Sequence, residues 1–316
     1  MNIWQELEKK MLFLITTSAC SSSDAIIQIL EQRKIDVFRF NLDLYEKYQF
    51  AWTSYGLEII DPLGRSINEK NISLAVIYKA TLPYGENMPF GYLLDGEEEW
   101  VKSTLNYITN SLAGWLKERN LLRLWTAWEI HYFKVKQMEL AKKYFIVPDF
   151  LIHWGFTLSP QKVVTKTLTQ KFFSDKTFPY VATIDRSKLN PNFPWFTQNI
   201  AVGDYDATVL YINGKIHCYQ FATERGDLTD WRITQGTEKN KWIPWNAGKE
   251  FEEKVDLYMK DMGLKFGRLD FIIGGKEPQF LEVNPCGQFG WLDDKNLTLH
   301  NEVVDAILDP SSTITL

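Results

Sequence analysis

The stretch Gly267-Arg-Leu-Asp-Phe-Ile-Ile-Gly-Gly-Lys-Glu-Pro-Gln-Phe-Leu-Glu-Val-Asn284 holds two runs rich in β-formers around a Gly-Gly turn. With residues 274–278 as the loop, Ile273 pairs with Gln279, and Asp270 falls opposite Glu282 on one face of a hairpin. Asn284 lies two residues further on and shares that face, because strand side chains alternate. The other face carries Leu269, Phe271, Leu281 and Val283, all apolar, and is the one expected to be buried. Two carboxylates directly opposite each other repel unless a proton or a cation sits between them. Two carboxylates and an amide on a rigid hairpin form an oxygen-only donor set, which suits Mg²⁺ bound together with a nucleotide's phosphates. The same spacing fits the solvated outer face of an ordinary hairpin equally well, and spacing alone does not separate the two readings.

Upstream of the hairpin, residues 251–262 repeat Phe251, Val255, Tyr258, Met259 and Met262 on one side, which predicts an amphipathic helix stopped by Gly263. Residues 162–168 and 207–222 read as strands. Residues 97–118 and 122–145 have helical spacing, the second run ending before Pro148. The chain's first part opens with a strand at 11–15, a helix at 25–33 capped by Ser21-Ser-Ser-Asp24, and a strand at 36–40. These form a parallel pair with a right-handed crossover. A meander over 50–67 with a turn at Asp61-Pro-Leu-Gly64, then a strand at 74–78, predicts a sheet of mixed direction. The fold class is therefore α/β followed by α+β, with domain boundaries placed at 1–124, 125–200 and 201–316.

Two lysines lean toward apolar surfaces. Lys134 is spaced with Ile130, Met138, Ala141 and Phe145, on or beside the apolar stripe of its helix. Lys166 alternates in phase with Val164 and Leu168 and so leaves the inner face of a strand. An inward-leaning lysine calls for an anion, although either one alone reads more readily as a snorkelling surface residue.

At 316 residues the chain is long enough for two or three packed units. With 35 Lys+Arg against 40 Asp+Glu, no global field draws it to nucleic acid or an anionic membrane. No apolar run is long enough for a membrane span, and the first residues do not resemble a secretory signal. Cys20, Cys218 and Cys286 are odd in number and far apart, which suits neither a disulfide framework nor a zinc site. These features predict a cytoplasmic protein.

The segment Leu269-Asp-Phe-Ile, followed by Phe280-Leu-Glu-Val-Asn-Pro-Cys-Gly-Gln-Phe-Gly-Trp-Leu292, resembles the metal-binding end of an ATP-grasp ligase. It is most similar to the graspetide synthetases, the microviridin-type maturases of ribosomal peptides. Asp230-Trp-Arg232 resembles a motif that puts an arginine near the reacting carboxylate, and Val163-Val-Thr-Lys166 resembles the strand that carries a phosphate-binding lysine. Val37-Phe-Arg-Phe-Asn-Leu-Asp43 is similar to the family's second strand. The resemblance implies an N-terminal pre-ATP-grasp domain, then central and C-terminal β-rich subdomains sandwiching ATP. It implies Lys134 and Lys166 on the phosphates, Gln198 and Asn199 at the nucleotide hinge, Asp270, Glu282 and Asn284 on Mg²⁺, and Arg232 in catalysis. It also implies a precursor peptide of leader plus core as the partner, a homodimer, and ω-ester or ω-amide cross-links as the product. Four stretches depart from the family pattern: Asp206-Ala-Thr208 has no arginine, the hinge reads Thr197-Gln-Asn-Ile200, Tyr78-Lys-Ala80 replaces a Tyr-Arg-Arg, and the segment from Pro148 to Lys166 is short. A ligase of amino acids or small metabolites, and a nucleotide-binding module that recognises a peptide without reacting, stand as alternatives.

Overall fold

Five consecutive apolar side chains in a short run, as in Met11-Leu-Phe-Leu-Ile15, fit a strand covered on both faces. The computed structural model, which describes residues 10–80, 97–125, 134–166, 181–225 and 241–315, puts this run in such a strand. β1 (Met11–Thr16) leads through α1 (Ser21–Gln32) to β2 (Val37–Asn41), with β1 and β2 parallel. β3 (Gln49–Thr53), β4 (Gly56–Ile60) and β5 (Ser66–Asn68) form an antiparallel meander, and β6 (Ile72–Ile77) then returns beside β1, also parallel. The predicted single sheet of mixed direction is instead two sheets, β2-β1-β6 and β3-β4-β5. The meander closes on its own short hydrogen-bonded register, so its strands never join β1.

Ser21, Ser22 and Ser23 lie inside the first turn of α1 rather than before it. The residue flanking the helix is Cys20, which makes no capping bond. The serines serve tertiary contacts: Ser23 Oγ lies 2.9 Å from Thr16 Oγ1, while Asp24 accepts from Arg39 Nη1 at 2.5 Å. α2 (Glu97–Glu118) follows. Leu122 and Arg123, predicted as helical, are extended, and Leu124 turns with a positive φ of 63°. Ala75 N donates to Leu121 O at 2.8 Å, Arg123 N to Ala75 O at 2.9 Å, and Ile314 N to Leu122 O at 3.0 Å. Long-range backbone pairing overrides the local helical spacing there.

The second helix of that region is described as α3 (Lys134–Ala141). β7 (Phe150–His153), β8 (Lys162–Lys166), β9 (Ala182–Asp185) and β10 (Trp195–Gln198) make an antiparallel sheet of order β7-β10-β8-β9. β11 (Tyr205–Ile212), β12 (Lys215–Phe221), β13 (Trp242–Pro244), α4 (Lys249–Asp261), β14 (Phe266–Ile273) and β15 (Gln279–Asn284) complete this part, with sheet order β13-β12-β11-β14-β15. α4 buries Phe251, Val255, Tyr258 and Met259 against Leu269, Phe271, Phe280 and Val283 of the β14-β15 hairpin. Each such burial contributes about 1.5–3 kcal/mol, which fixes the hairpin's other face toward the site. α5 (Thr298–Leu308) closes the chain.

Contacts divide the chain into two units, Met1–Trp128 with Gln288–Leu316, and Glu129–Gly287. The three cysteines are free thiols. Among the described residues, no helix is long and apolar enough to cross a membrane.

Candidate functional site

The hairpin positions the site through its register. Asp270 lies opposite Glu282, and Asn284 opposite Arg268. The loop end differs from the sequence-derived pairing, since Gln279 faces Ile272 instead of Ile273. An irregularity between Asp270 and Phe271 takes up the one-residue difference, so the site end of the register is unchanged. The irregularity also changes the buried set: Phe280 is buried and Leu281, predicted to be inside, is only half-buried. Two adjacent apolar residues give no pattern that tells which one turns inward.

Every carboxylate oxygen on this face has a donor. Asp270 Oδ1 accepts from Thr208 Oγ1 at 3.0 Å and from Arg268 Nε at 3.3 Å. Its Oδ2 accepts from Arg268 Nη2 at 3.1 Å and Asn284 Nδ2 at 3.3 Å. Glu282 Oε1 accepts from Asn284 Nδ2 at 3.3 Å, and Oε2 from Lys134 Nζ at 2.6 Å. The Asn284 amide thus bridges the two carboxylates, and a cation stands on each. Burial pushes the Glu282 pKa up, but the ammonium charges of Lys134 and Lys166 overcome this and hold it far below the usual carboxylate range. The carboxylate stays ionised because two lysines converge on it.

Those lysines come from separate elements. Lys134 opens the described part of α3, whose Gln137 is buried and accepts from Val283 N at 3.4 Å. That bond ties α3 to β15 one turn beyond Lys134 and aims the ammonium at Glu282; the Lys134 ammonium also sits 5.9 Å from the Phe196 ring centroid. Lys166 ends β8 opposite Phe196 of β10, on the same strand face as Val164. On β11 the ion pair of Asp206 Oδ2 and Arg225 Nε, 3.4 Å apart, continues the polar face two residues before Thr208.

Gln198 and Asn199 bond to other partners than the carboxylates. The Gln198 amide is buried and donates to Pro148 O at 3.3 Å. Asn199 N donates to Asp149 O at 2.8 Å, and its Oδ1 accepts from Gln161 Nε2 at 3.0 Å. Both line a cavity of about 240 Å³ together with Asp149, Gln161 and Arg186. Arg232 and the rest of Asp230-Trp-Arg232 lie outside the described residues.

Sequence reading missed Arg268, Thr208 as a partner of Asp270, and Gln137. Arg268 was within reach of it, because two residues before Asp270 is the same strand face. Nothing local marks Gln137 as the residue that pins a helix to a strand. Among the described residues no three His, Cys, Asp or Glu side chains cluster as a metal site, so any cation here rests on two carboxylates and an amide. Such hard oxygen donors, with cationic groups already seated on them, fit Mg²⁺ rather than a thiophilic metal.

The chain has the ATP-grasp fold, and solved structures of that fold match over nearly its whole length. A Chryseobacterium gregarium RiPP-associated ATP-grasp ligase, in complex with ADP and a leader and core peptide, superposes with a TM-score of 0.79 at 19% identity. The match covers 97% of this chain and 100% of that one. The macrocyclase MdnC bound with precursor peptide MdnA from Microcystis aeruginosa MRC gives 0.72 at 18% identity, covering 94% and 99%. The D-alanine–D-alanine ligase from Bacillus anthracis complexed with ATP gives 0.52 at 13%, covering 96% of each chain. No family model and no curated protein matches the sequence.

Proposed function

We propose that this protein is an ATP-dependent ligase that forms ω-ester or ω-amide cross-links between side chains of a ribosomally made precursor peptide. The observation that carries this reading is the convergence of Lys134 and Lys166 on Glu282, opposite Asp270 and beside Asn284. Such a face holds a polyanion together with a hard cation. The match in fold to ligases solved with ADP and with leader and core peptides supports the choice of substrate class.

ATP bound at this face supplies a phosphoryl group that turns an unreactive carboxylate into an acyl phosphate, and Mg²⁺ supplies charge neutralisation. The chain's own residues do the rest. Lys134 and Lys166 exchange Glu282 for phosphate oxygens and hold the nucleotide's tail. Asp270, Glu282 and Asn284 hold the cation. Gln198 and Asn199 hold the base, and Arg232 faces the carboxyl that reacts. A Ser or Thr hydroxyl, or a Lys amine, of the same peptide then displaces phosphate, leaving ADP, phosphate and one new bond. The reading includes subdomains at 1–124, 125–200 and 201–316 with ATP between the last two, a leader gripped apart from the core, a homodimer, and a cytoplasmic location.

Incubated with ATP, Mg²⁺ and its cognate precursor, the protein is expected to remove about 18 Da per link, the water lost when two groups held on one peptide condense. Mild alkali restores the mass of esters and leaves amides intact. The second reading, a ligase of amino acids or small metabolites, draws on the likeness to the D-alanine–D-alanine ligase. It predicts leader-independent ADP release with free amino acids, and a peptide mass that is unchanged or raised by a residue would favour it.

A further inference from the structure

Arg225 brings a guanidinium to the polar face of β11 and makes no hydrogen bond with it there. Its backbone is pinned just past β12, with N donating to Asp204 O at 2.7 Å. The side chain, only 12% exposed, runs to Asp206, where Nε stands 3.4 Å from Oδ2. Nε is nonetheless enclosed without a hydrogen bond, and among the described residues nothing accepts from Nη1 or Nη2. A guanidinium has five N–H donors, and enclosing its charge with none of them satisfied is costly. An ion pair built only for structure would align those donors on the carboxylate. This one leaves the outer edge of the fork, Nη1 and Nη2, for another acceptor.

The position of the pair says which acceptor. Asp206 shares a strand face with Thr208, whose hydroxyl donates to Asp270 Oδ1 at 3.0 Å. Two residues advance a strand by about 7 Å, so the pair stands one row of side chains from Asp270. The sheet order β13-β12-β11-β14-β15 then separates the cations. Lys134 and Lys166 converge on Glu282 of β15, on one side of Asp270. Arg225, just past the end of β12, lies on the other. β11 has no arginine of its own at Asp206-Ala-Thr208, so the positive charge beside Asp206 comes from Arg225. A phosphoryl group held by the two lysines and passed across a cation on Asp270 moves from the β15 side toward the β12 side. The group that receives it is met there by Arg225.

We infer that Arg225 seats the peptide carboxylate that is to be phosphorylated, turning its Nη edge to that carboxylate while Asp206 stays at Nε. The inference rests on the ligase reading above and makes its substrate side more specific. An arginine fork matches a carboxylate through two parallel hydrogen bonds. A side-chain amide of the same shape offers one acceptor oxygen and brings donors of its own, so Arg225 distinguishes Asp and Glu from Asn and Gln.

The test compares two forms of the precursor peptide, one with its acidic core residues and one with each replaced by the matching amide. Both are labelled and bound to the full-length protein with ADP and Mg²⁺, where nothing can be transferred, and followed by fluorescence anisotropy. The wild type is expected to bind the acidic form about 10-fold to 100-fold more tightly, the range for hydrogen bonds to a charged group. Arg225→Gln should bind the two forms alike. Arg225→Lys keeps the charge, gives up the fork and should keep only part of the preference, and it carries the test if Arg225→Gln does not fold. A purely structural pair would weaken both forms together, so an unchanged ratio in a folded variant overturns the inference. Equal binding of the two forms by the wild type overturns it as well. ADP release with ATP, Mg²⁺ and the acidic precursor keeps the two layers apart: its absence in the wild type sinks the ligase reading, whereas an unchanged ratio in variants of an active enzyme sinks the role of Arg225 alone.

Discussion

The strand β1 and the strand β14 are both central in their sheets, yet they distribute polarity in opposite ways. β1 buries five of its six side chains on both faces, and nothing on it carries charge. β14 is buried along one face and holds half-buried Arg268 and Asp270 on the other. The parallel strand is covered from both sides, so its residues answer only to packing. The antiparallel strand is covered on one side by α4, and its second face is left for chemistry. On β14 the polar residues at every second position fall on the face that α4 leaves uncovered.

Substitutions at the two strands therefore separate stability from reaction. Phe13→Ala in β1 is expected to cost about 3–5 kcal/mol in urea unfolding, since it opens a cavity beside Phe38, and to act on reaction only through the unfolded fraction. Loss of ADP release in the fraction that remains folded would contradict the division. Glu282→Gln should lower ADP release by about 10²–10³-fold even in the fraction that stays folded, a loss beyond what any fall in melting temperature explains. The wild type gains stability from ionised Glu282 at pH values above the unfolded carboxylate pKa, about 4.3, and loses it as pH falls toward the depressed folded value. Glu282→Gln should flatten that acid-side loss, and a variant with an unchanged acid limb would detach Glu282 from the two lysines. The smallest effect is expected from Gly287→Ala, which crowds Arg268 Cβ and Asn284. About 1–3 kcal/mol of destabilisation, read from the urea midpoint, is the range for such overpacking. A neutral result would mean that the chain after β15 yields without strain.

The parts legible in the sequence are those fixed by local periodicity. Asp270 opposite Glu282 follows from two β runs and a turn, and α4 follows from its apolar stripe and Gly263. The inward lean of Lys134 follows from its spacing to Met138 and Ala141. What escaped was decided over long distances. Leu122 and Arg123 read as helix, but hydrogen bonds to Ala75 and Ile314 stretch them. The one-residue slip at Gln279 depends on which of Phe280 and Leu281 packs under α4, and both are apolar. The donors on Asp270 from Thr208 combine residues 62 apart in sequence, a pairing that no local pattern contains.

The unit made by residues 1–128 is finished by residues 288–316, whose Ser312 O accepts from Leu124 N at 3.0 Å. During synthesis the ribosome therefore delivers everything between them first. The site-bearing unit 129–287 can close on itself while the earlier one is still waiting for α5. The inserted part can therefore be complete before the part that holds both its ends.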